Sequence, residues 1–282
     1  MNDNHHLLNI ETRMSKTVPA QTEESEYEEA VIQIIELITL RMRSPWSWPR
    51  PLFKLSAIVC EHDRLVGIVH KFTRQVIEDC ITKFSSIHLQ HRMAFLDILI
   101  AKMNDEQMSI DYIQEEVDTF MFEGHDTIAT AFNFALFIIA LHQDTQQCLF
   151  EEMQSIFEND NKRVCTLDDI IQMDYLERII KDTLRLLPSV PIVGRKIQET
   201  FRYDLFFFKY LSMKFIVIHD IFLNQKKFNP DRFLPKVAQQ QHPYAYIPFS
   251  AGSQNCIDQR FALLEAKVFL STIIHRFHLT TS

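Results

Sequence analysis

The chain has 282 residues, of which 46% are hydrophobic, enough for one large domain or two small ones. A net charge of -8 at pH 7 argues against a nucleic-acid partner, which usually requires a basic face. Five scattered cysteines without a CxxC pair argue against a disulfide framework or a zinc site and are typical of a reducing compartment. Only four glycines are present, so the composition favours helices over turn-rich β structure.

The N-terminal part of the chain is polar and then becomes helical. Residues 1–27 form an acid-rich lead-in without the apolar core of a signal peptide, and we find no run of roughly 20 apolar residues that would span a membrane. Apolar residues at helical intervals predict helices over 28–43 and 61–84, followed by a shorter helix over 92–103.

A long helix is predicted from Asp111 to Leu141, because this stretch contains no proline and few loop residues. As one helix of 31 residues it would be roughly 46 Å long. Its start is acidic, as a helix N-terminus prefers, and its second half is apolar on nearly all sides. We therefore expect a central, buried helix.

The remaining chain predicts helices over 144–158 and 174–187 and a last amphipathic helix over 259–276. Residues 192–222 are rich in Ile, Val, Phe and Tyr and predict short strands. Residues 223–257 contain four prolines and predict an extended loop. The fold class that follows is mainly α with a small β part.

The middle of the long helix contains Gly124, Asp126 and Thr127. A glycine inside a helix costs about 1 kcal/mol relative to alanine, and Asp and Thr side chains can divert backbone hydrogen bonds. The pattern predicts a local bulge or kink where a ligand approaches. A tolerated glycine at a helix crossing explains it equally well.

Charged residues of the helix over 174–187 and of the following loop form a second pattern. Asp182 and Arg185 are three residues apart and can pair on one helix face. Arg232, in a rigid meander between two prolines, could reach a buried carboxylate. The alternative for the helical pair is an exposed contact worth a few tenths of a kcal/mol.

The loop over 248–257 is rich in turn residues and delivers Cys256 just before a helix. Unpaired N–H groups and the helix dipole favour a thiolate there, which suits a metal ligand or a nucleophile. The alternative is an ordinary buried cysteine.

The order and spacing of these patterns resemble the haem-thiolate cytochrome P450 superfamily. The stretches FMFEGHDT, YLERIIKDTLRLLPSVPIVGR, FNPDRFLP and NCIDQRFALLEAK are especially similar to family 4, the fatty-acid ω-hydroxylase-like group of animals. The resemblance runs from about Glu11 to the C-terminus and covers the later half to two-thirds of a complete member. It implies that 28–282 form the C-terminal portion of a P450 domain, N-terminally truncated, after the lead-in of 1–27.

The resemblance implies a role for each matching residue. Cys256 would be the axial thiolate of the haem iron. Asp126 and Thr127 would deliver protons to bound oxygen, and Asp182, Arg185 and Arg232 would form a buried network that holds the cysteine loop. The haem-binding residues would be Glu123, which many family-4 members bond covalently to a haem methyl, together with Gly124, Phe249, Gly252 and Gln254.

Four positions depart from the family pattern. Asp182 is one methylene shorter than the family's glutamate, and Gln254 stands where a basic residue binds a haem propionate. Asp258 replaces a glycine near the cysteine, and Ile128 stands where a second threonine is common. These differences put strong haem binding in doubt.

The activity implied by the resemblance is monooxygenation of a lipophilic substrate such as a fatty acid, with electrons from NADPH-cytochrome P450 reductase. The family implies the endoplasmic reticulum membrane, whereas the anchor is not found in this chain, which indicates a cytoplasmic or peripheral location. One alternative is a catalytically impaired or haem-free fragment or pseudoenzyme of the same family. The other is an unrelated helical binding protein with a coincidental cysteine.

Overall fold

The computed structural model describes residues 21–56, 58–84, 95–106, 108–158, 160, 163–191, 193–195, 201–203, 206–208, 212–214 and 226–281. These residues are mainly helical with a small β part, which confirms the predicted fold class. The chain divides into two compact units, Met1–Glu123 and Gly124–Ser282.

In its described residues the first unit contains four α-helices and the beginning of a fifth, besides a short 3-10 helix (Pro45–Ser47). They are α1 (Gln21–Arg43), α2 (Arg50–Lys54), α3 (Ile58–Phe84), α4 (Phe95–Glu106) and the first half of α5 (Ile110–Leu141). Helix α1 includes the seven residues before the predicted start at position 28. Tyr27, which the sequence assigns to the polar lead-in, is buried one helical turn before Val31 and belongs to the same apolar face.

The core of the first unit joins α1 to α3. Val31 and Ile34 of α1 pack with Leu65 and Val69 of α3 in one buried cluster. A second cluster joins Ile77 of α3 to the first half of α5. The apolar spacing seen in the sequence therefore forms the packed faces.

The long helix α5 is continuous from Ile110 to Leu141, so the bulge predicted at Gly124 is wrong, whereas the kink predicted there stays a prediction. The cost of a helical glycine, about 1 kcal/mol, is small against the burial of side chains such as Ile113 and Ile139 in α5. The sequence predicted no stretch able to span a membrane, whereas α5 is apolar enough to do so by length and composition, with a mean hydropathy of 1.4 over an 18-residue window. Only 24% of that window is buried, so the expectation of a buried helix is also wrong over this part of α5.

The second unit contains the rest of α5 and a series of shorter elements. They are α6 (Gln143–Phe157), α7 (Leu167–Gln172), α8 (Asp174–Leu186), β1 (Val193–Arg195), β2 (Phe201–Tyr203), β3 (Phe206–Phe208), β4 (Ser212–Lys214), a 3-10 helix (Pro230–Phe233), α9 (Pro235–Ala238) and α10 (Gln259–Ile274). The strands form two antiparallel pairs, β1 with β4 and β2 with β3.

The core of the second unit is built from α5, α6, α8 and α10. Ile139, Leu149, Ile179 and Leu270, one from each helix, are almost fully buried in a single cluster. Phe249 of the loop before α10 packs against the same cluster. This core therefore positions both α8 and the start of the cysteine loop.

Candidate functional site

The loop that carries Cys256 is a tight turn in front of α10. The backbone N–H of Cys256 donates to the carbonyl oxygen of Phe249 at 2.9 Å, and that of Ser250 donates to Ile247 at 3.1 Å. Ser250 and Gly252 have φ values of 63° and 88°, in the left-handed region that favours glycine. The loop thereby presents an exposed Cys256 three residues before the helix begins.

The surroundings of Cys256 are partly apolar and carry one perturbed acid. Gln254 and Ile257 are exposed, whereas Phe249 anchors the start of the loop in the core. Asp258 is the N-cap residue of α10, although its side chain makes no capping hydrogen bond. Burial raises the pKa of the Asp258 carboxyl above its ordinary value.

Asp182 is the centre of a buried polar network beneath the following loop. Its Oδ1 accepts a hydrogen bond from Arg185 Nε at 2.6 Å, and its Oδ2 accepts one from the backbone N–H of Asn229 at 2.6 Å. Arg185 and Arg232 both donate to the carbonyl oxygen of Lys227, at 3.1 and 3.3 Å. The structure thus brings Asp182, Arg185 and Arg232 together.

The electrostatics of the network follow from its burial. The side chains of Asp182 and Arg185 are 0% and 6% exposed, so the alternative of an exposed pair is wrong. Arg232 Nε lies 4.0 Å from Asp182 Oδ1. Burial and the charge of Arg185 lower the pKa of Arg232, whereas Asp182 raises it.

Several contacts of the network were not found by sequence reasoning. The backbone groups of Lys227 and Asn229 complete it, and backbone atoms have no signature in a side-chain pattern. Tyr246 was also missed. Its ring packs edge-on against Phe233 with centroids 4.8 Å apart, and burial raises the pKa of its hydroxyl well above 10.0.

The candidate residues in the middle of α5 differ from one another in how far they are exposed to solvent. Asp126 is exposed and Thr127 is half-buried, and a Cβ added at Gly124 would meet no heavy atom within 4 Å outside its own helix. Glu123 is exposed and lines a groove of the first unit. Further along α5, Ala131 and Phe132 pack on the same core cluster as Phe249. A flat ligand between Gly124 and Cys256 stays a prediction.

The sequence model of the family described as "Cytochrome P450" matches residues 11–282. The chain therefore belongs to the cytochrome P450 family. Cytochrome P450 4V2 of Pongo abelii is 38% identical over 292 residues, which cover 95% of this chain and 55% of that protein. Cytochrome P450 4c21 of Blattella germanica is also 38% identical, with 96% and 58% covered. The chain thus spans little more than half the length of the curated relatives it matches.

The fold is shared with solved members of the family. The crystal structure of a cytochrome P450, CYP102L1, superimposes with a TM-score of 0.72 over 97% of this chain and 69% of that chain. The two sequences are 19% identical, so this similarity bears on the fold alone. The comparison confirms the predicted partial P450 fold.

Haem is the cofactor that the family implies. The cysteine loop has a residue that could bind the haem iron. Cys256 offers an exposed sulfur donor, and a Cβ added at Gly252 would meet no heavy atom within 4 Å. A single thiolate is the protein ligand that P450 haem iron takes. The loop is less suited to bind the haem propionates, because the exposed Gln254 is uncharged and cannot neutralise a carboxylate.

Proposed function

We propose that the chain forms the cysteine-loop portion of a haem-thiolate monooxygenase that inserts one oxygen atom of O2 into a lipophilic substrate such as a fatty acid. The observations that carry this proposal are the buried network of Asp182, Arg185 and Arg232 and the tight loop that presents Cys256. Burying an acid with two arginines costs free energy unless opposite charges and hydrogen bonds compensate the lost hydration. Here the network ties α8 to the 227–232 segment through Lys227 and Asn229.

The cysteine loop has the chemistry to hold the cofactor. Haem, when bound, supplies the activation of oxygen and the storage of electrons. Cys256 would donate its sulfur to the iron, and the N-terminal end of α10 favours the thiolate form. Gly252 and Phe249 would shape the surface beneath the ring, and Gln254 would hydrogen-bond a propionate without neutralising it.

The middle of α5 would manage protons on the opposite side. The exposed carboxylate of Asp126 can take protons from solvent, and the Thr127 Oγ1 can pass them inward because that side chain is half-buried. Gly124, which has no side chain, would let the α5 backbone approach the ring. The covalent bond of Glu123 to a haem methyl stays a prediction.

The partner that fits this activity is a flavoprotein electron donor, NADPH-cytochrome P450 reductase. Its place of action would be the endoplasmic reticulum membrane, as the family implies. Both the partner and the location follow from the resemblance to family 4.

A second candidate function is that of a catalytically impaired or haem-free member of the family. The observations that favour it are the uncharged, exposed Gln254 and the half-buried Asp258 two residues from Cys256. A nearby carboxylate disfavours a thiolate.

A carbon-monoxide difference spectrum of the reduced chain, purified with haem supplied, separates a haem-thiolate protein from the haem-free form of the second candidate. Thiolate-ligated haem gives a red-shifted Soret band, which we expect for the parent chain and for Cys148→Ala, a control at another exposed cysteine. The band should disappear in Cys256→Ala. Its absence from the parent would instead support the haem-free candidate, and its survival in Cys256→Ala would refute the assigned ligand.

A further inference from the structure

Lys267 of α10 is a charged side chain that lies almost wholly inside the second unit. The residue is 7% exposed, and its Nζ donates hydrogen bonds to Glu177 Oε2 at 2.6 Å and to the carbonyl oxygen of Ile170 at 3.2 Å. Ile170 belongs to α7 and Glu177 to α8, so one ammonium group joins three helices. Burying a lysine is unfavourable unless an opposite charge and acceptors replace its hydration, as they do here.

Glu177 also accepts a second lysine, Lys181, from its own helix. Lys181 Nζ lies 2.6 Å from Glu177 Oε1, but the Lys181 side chain is 32% exposed, against 8% for Lys267. Burial raises the pKa of the Glu177 carboxyl, but the hydrogen bonds from Lys181 and Lys267 outweigh it and hold the pKa below the ordinary 4.5. Glu177 is therefore a charged acceptor at neutral pH, and of these two lysines only Lys267 reaches it from another helix.

The apolar contacts of α10 give it little directional restraint. Ala266, Leu270 and Ile274 recur every four residues and form the buried stripe of the helix. Burial of apolar area has no preferred direction, whereas a hydrogen-bonded ion pair has a defined length and angle. Lys267, next to Ala266 in the sequence, thus adds a contact that can select one register of α10 against α8.

The position of α10 determines where the loop presents Cys256. The start of the loop is held by Phe249, which packs on the core and accepts the backbone N–H of Cys256 at 2.9 Å. Its end is held by α10, which begins three residues after Cys256. The helix that Lys267 contacts also carries Asp182 and Arg185. A shift of α10 against α8 would therefore move Cys256 relative to that buried network.

We propose that Lys267 is a positioning residue, which through Glu177 fixes α10 against α8 and so holds Cys256 where a haem iron can take it as a ligand. The role of Cys256 rests on the proposed function, whereas the restraint on the loop exists without haem. Lys267 lies about two turns into α10, so it acts on the cysteine through the helix and not by contact.

Amide hydrogen exchange of the chain without haem, read by mass spectrometry over 249–257 and over α6, is the first measurement. Lys267→Met removes the ammonium and keeps a side chain of similar length. We expect exchange over 249–257 to become roughly tenfold faster while α6 changes little, because the loop loses a restraint and the core does not. Lys181→Met is the matched control, since it removes a lysine at the same distance from the same carboxylate within one helix, and both segments should exchange as in the parent.

The carbon-monoxide spectrum of the reduced chain, with haem supplied, is the second measurement. Lys267→Met should lower the share of haem that gives the red-shifted Soret band by roughly threefold, because fewer molecules hold the thiolate in place. Lys267→Arg, which restores a cation, should recover most of that band. A parent without the band would refute the proposed haem site, and the exchange measurement would still decide whether Lys267 restrains the loop.

Equal acceleration over 249–257 and α6 in Lys267→Met would show a merely structural role and overturn the proposal, and so would a Lys181→Met variant with the same effect on the loop. Glu177→Gln covers the case in which Lys267→Met does not fold. The Glu177 side chain is 34% exposed, so folding should survive while the acceptor loses its charge. Exchange over 249–257 should again become faster, and an unchanged rate would likewise refute the link.

Discussion

Asp182 and Arg185 lie one turn apart on α8, and the carboxylate accepts the guanidinium Nε–H at 2.6 Å in the protein interior. Arg64 and Glu61 have the same spacing and the same distance on α3, but their side chains are 54% and 47% exposed. The buried pair also bonds Lys227 and Asn229, whereas among the described residues the exposed pair bonds only within itself through two Arg64 nitrogens, so the exposed pair serves as the control for an ion pair on a helix surface.

Arg185→Ala should lower the free energy of unfolding by about 3–5 kcal/mol, because it leaves the Asp182 carboxylate buried beside the more distant Arg232. Urea unfolding followed by helical circular dichroism measures the change. Arg64→Ala is the control and should hardly move the unfolding midpoint. Equal effects of the two substitutions would contradict the buried role of Arg185.

Gly252→Ala should lower the free energy of unfolding by about 1–3 kcal/mol, because alanine is strained at a φ of 88°. The distortion should also change the rate at which the exposed thiol of Cys256 reacts with a thiol reagent. Gly67→Ala, inside α3, should instead raise the free energy of unfolding by about 1 kcal/mol, because alanine favours the helix more than glycine does. Thermal unfolding of both variants checks the prediction, which fails if the two changes share a sign.

Gln254→Arg should tighten haem binding up to about fivefold, which corresponds to an exposed ion pair worth up to about 1 kcal/mol. The reason is that an arginine at this exposed position supplies the cation for a propionate that the glutamine lacks. Titration with haem, followed by its absorbance, measures the affinity. Gln240→Arg adds the same charge at another exposed site and should change nothing. A similar gain in both variants would indicate a general charge effect.

Asp169 makes stability depend on pH in the acid range. Burial raises the pKa of its carboxyl, but the bonds from Arg163 and Thr166 outweigh it and hold the pKa below the ordinary 3.8. The unfolded chain therefore binds the proton more readily, so this stabilisation is present above about pH 3.8 and is lost as the pH falls through the folded-state pKa.

Asp169→Asn should therefore reduce the slope of stability against pH below about pH 4, as measured by urea unfolding at several pH values. Asp168→Asn is the control, because Asp168 is an exposed neighbour in the same first turn of α7. It should keep the acid dependence of the parent. An unchanged slope in Asp169→Asn would show that other carboxyls dominate.

Local patterns were sufficient to predict most of the helices. The predicted helix over 174–187 ends one residue later than α8, and the predicted long helix starts one residue later than α5. The short helix α7 was missed, because six residues are too few to show a helical period. The bulge predicted at Gly124 was wrong, because burial of other α5 side chains outweighs the weak local preference of one glycine, and the kink predicted there stays a prediction.

The sequence by itself determined the family, the cysteine loop and the acid–arginine pattern of α8, because these depend on residue types at short, ordered spacings. Only the tertiary structure decided that Asp182 is fully buried and satisfied by Arg185 and the backbone of Asn229. It also decided that Lys267 of α10 is buried and bonds Glu177 of α8. Burial depends on which distant segments pack together, and no spacing along one helix specifies that.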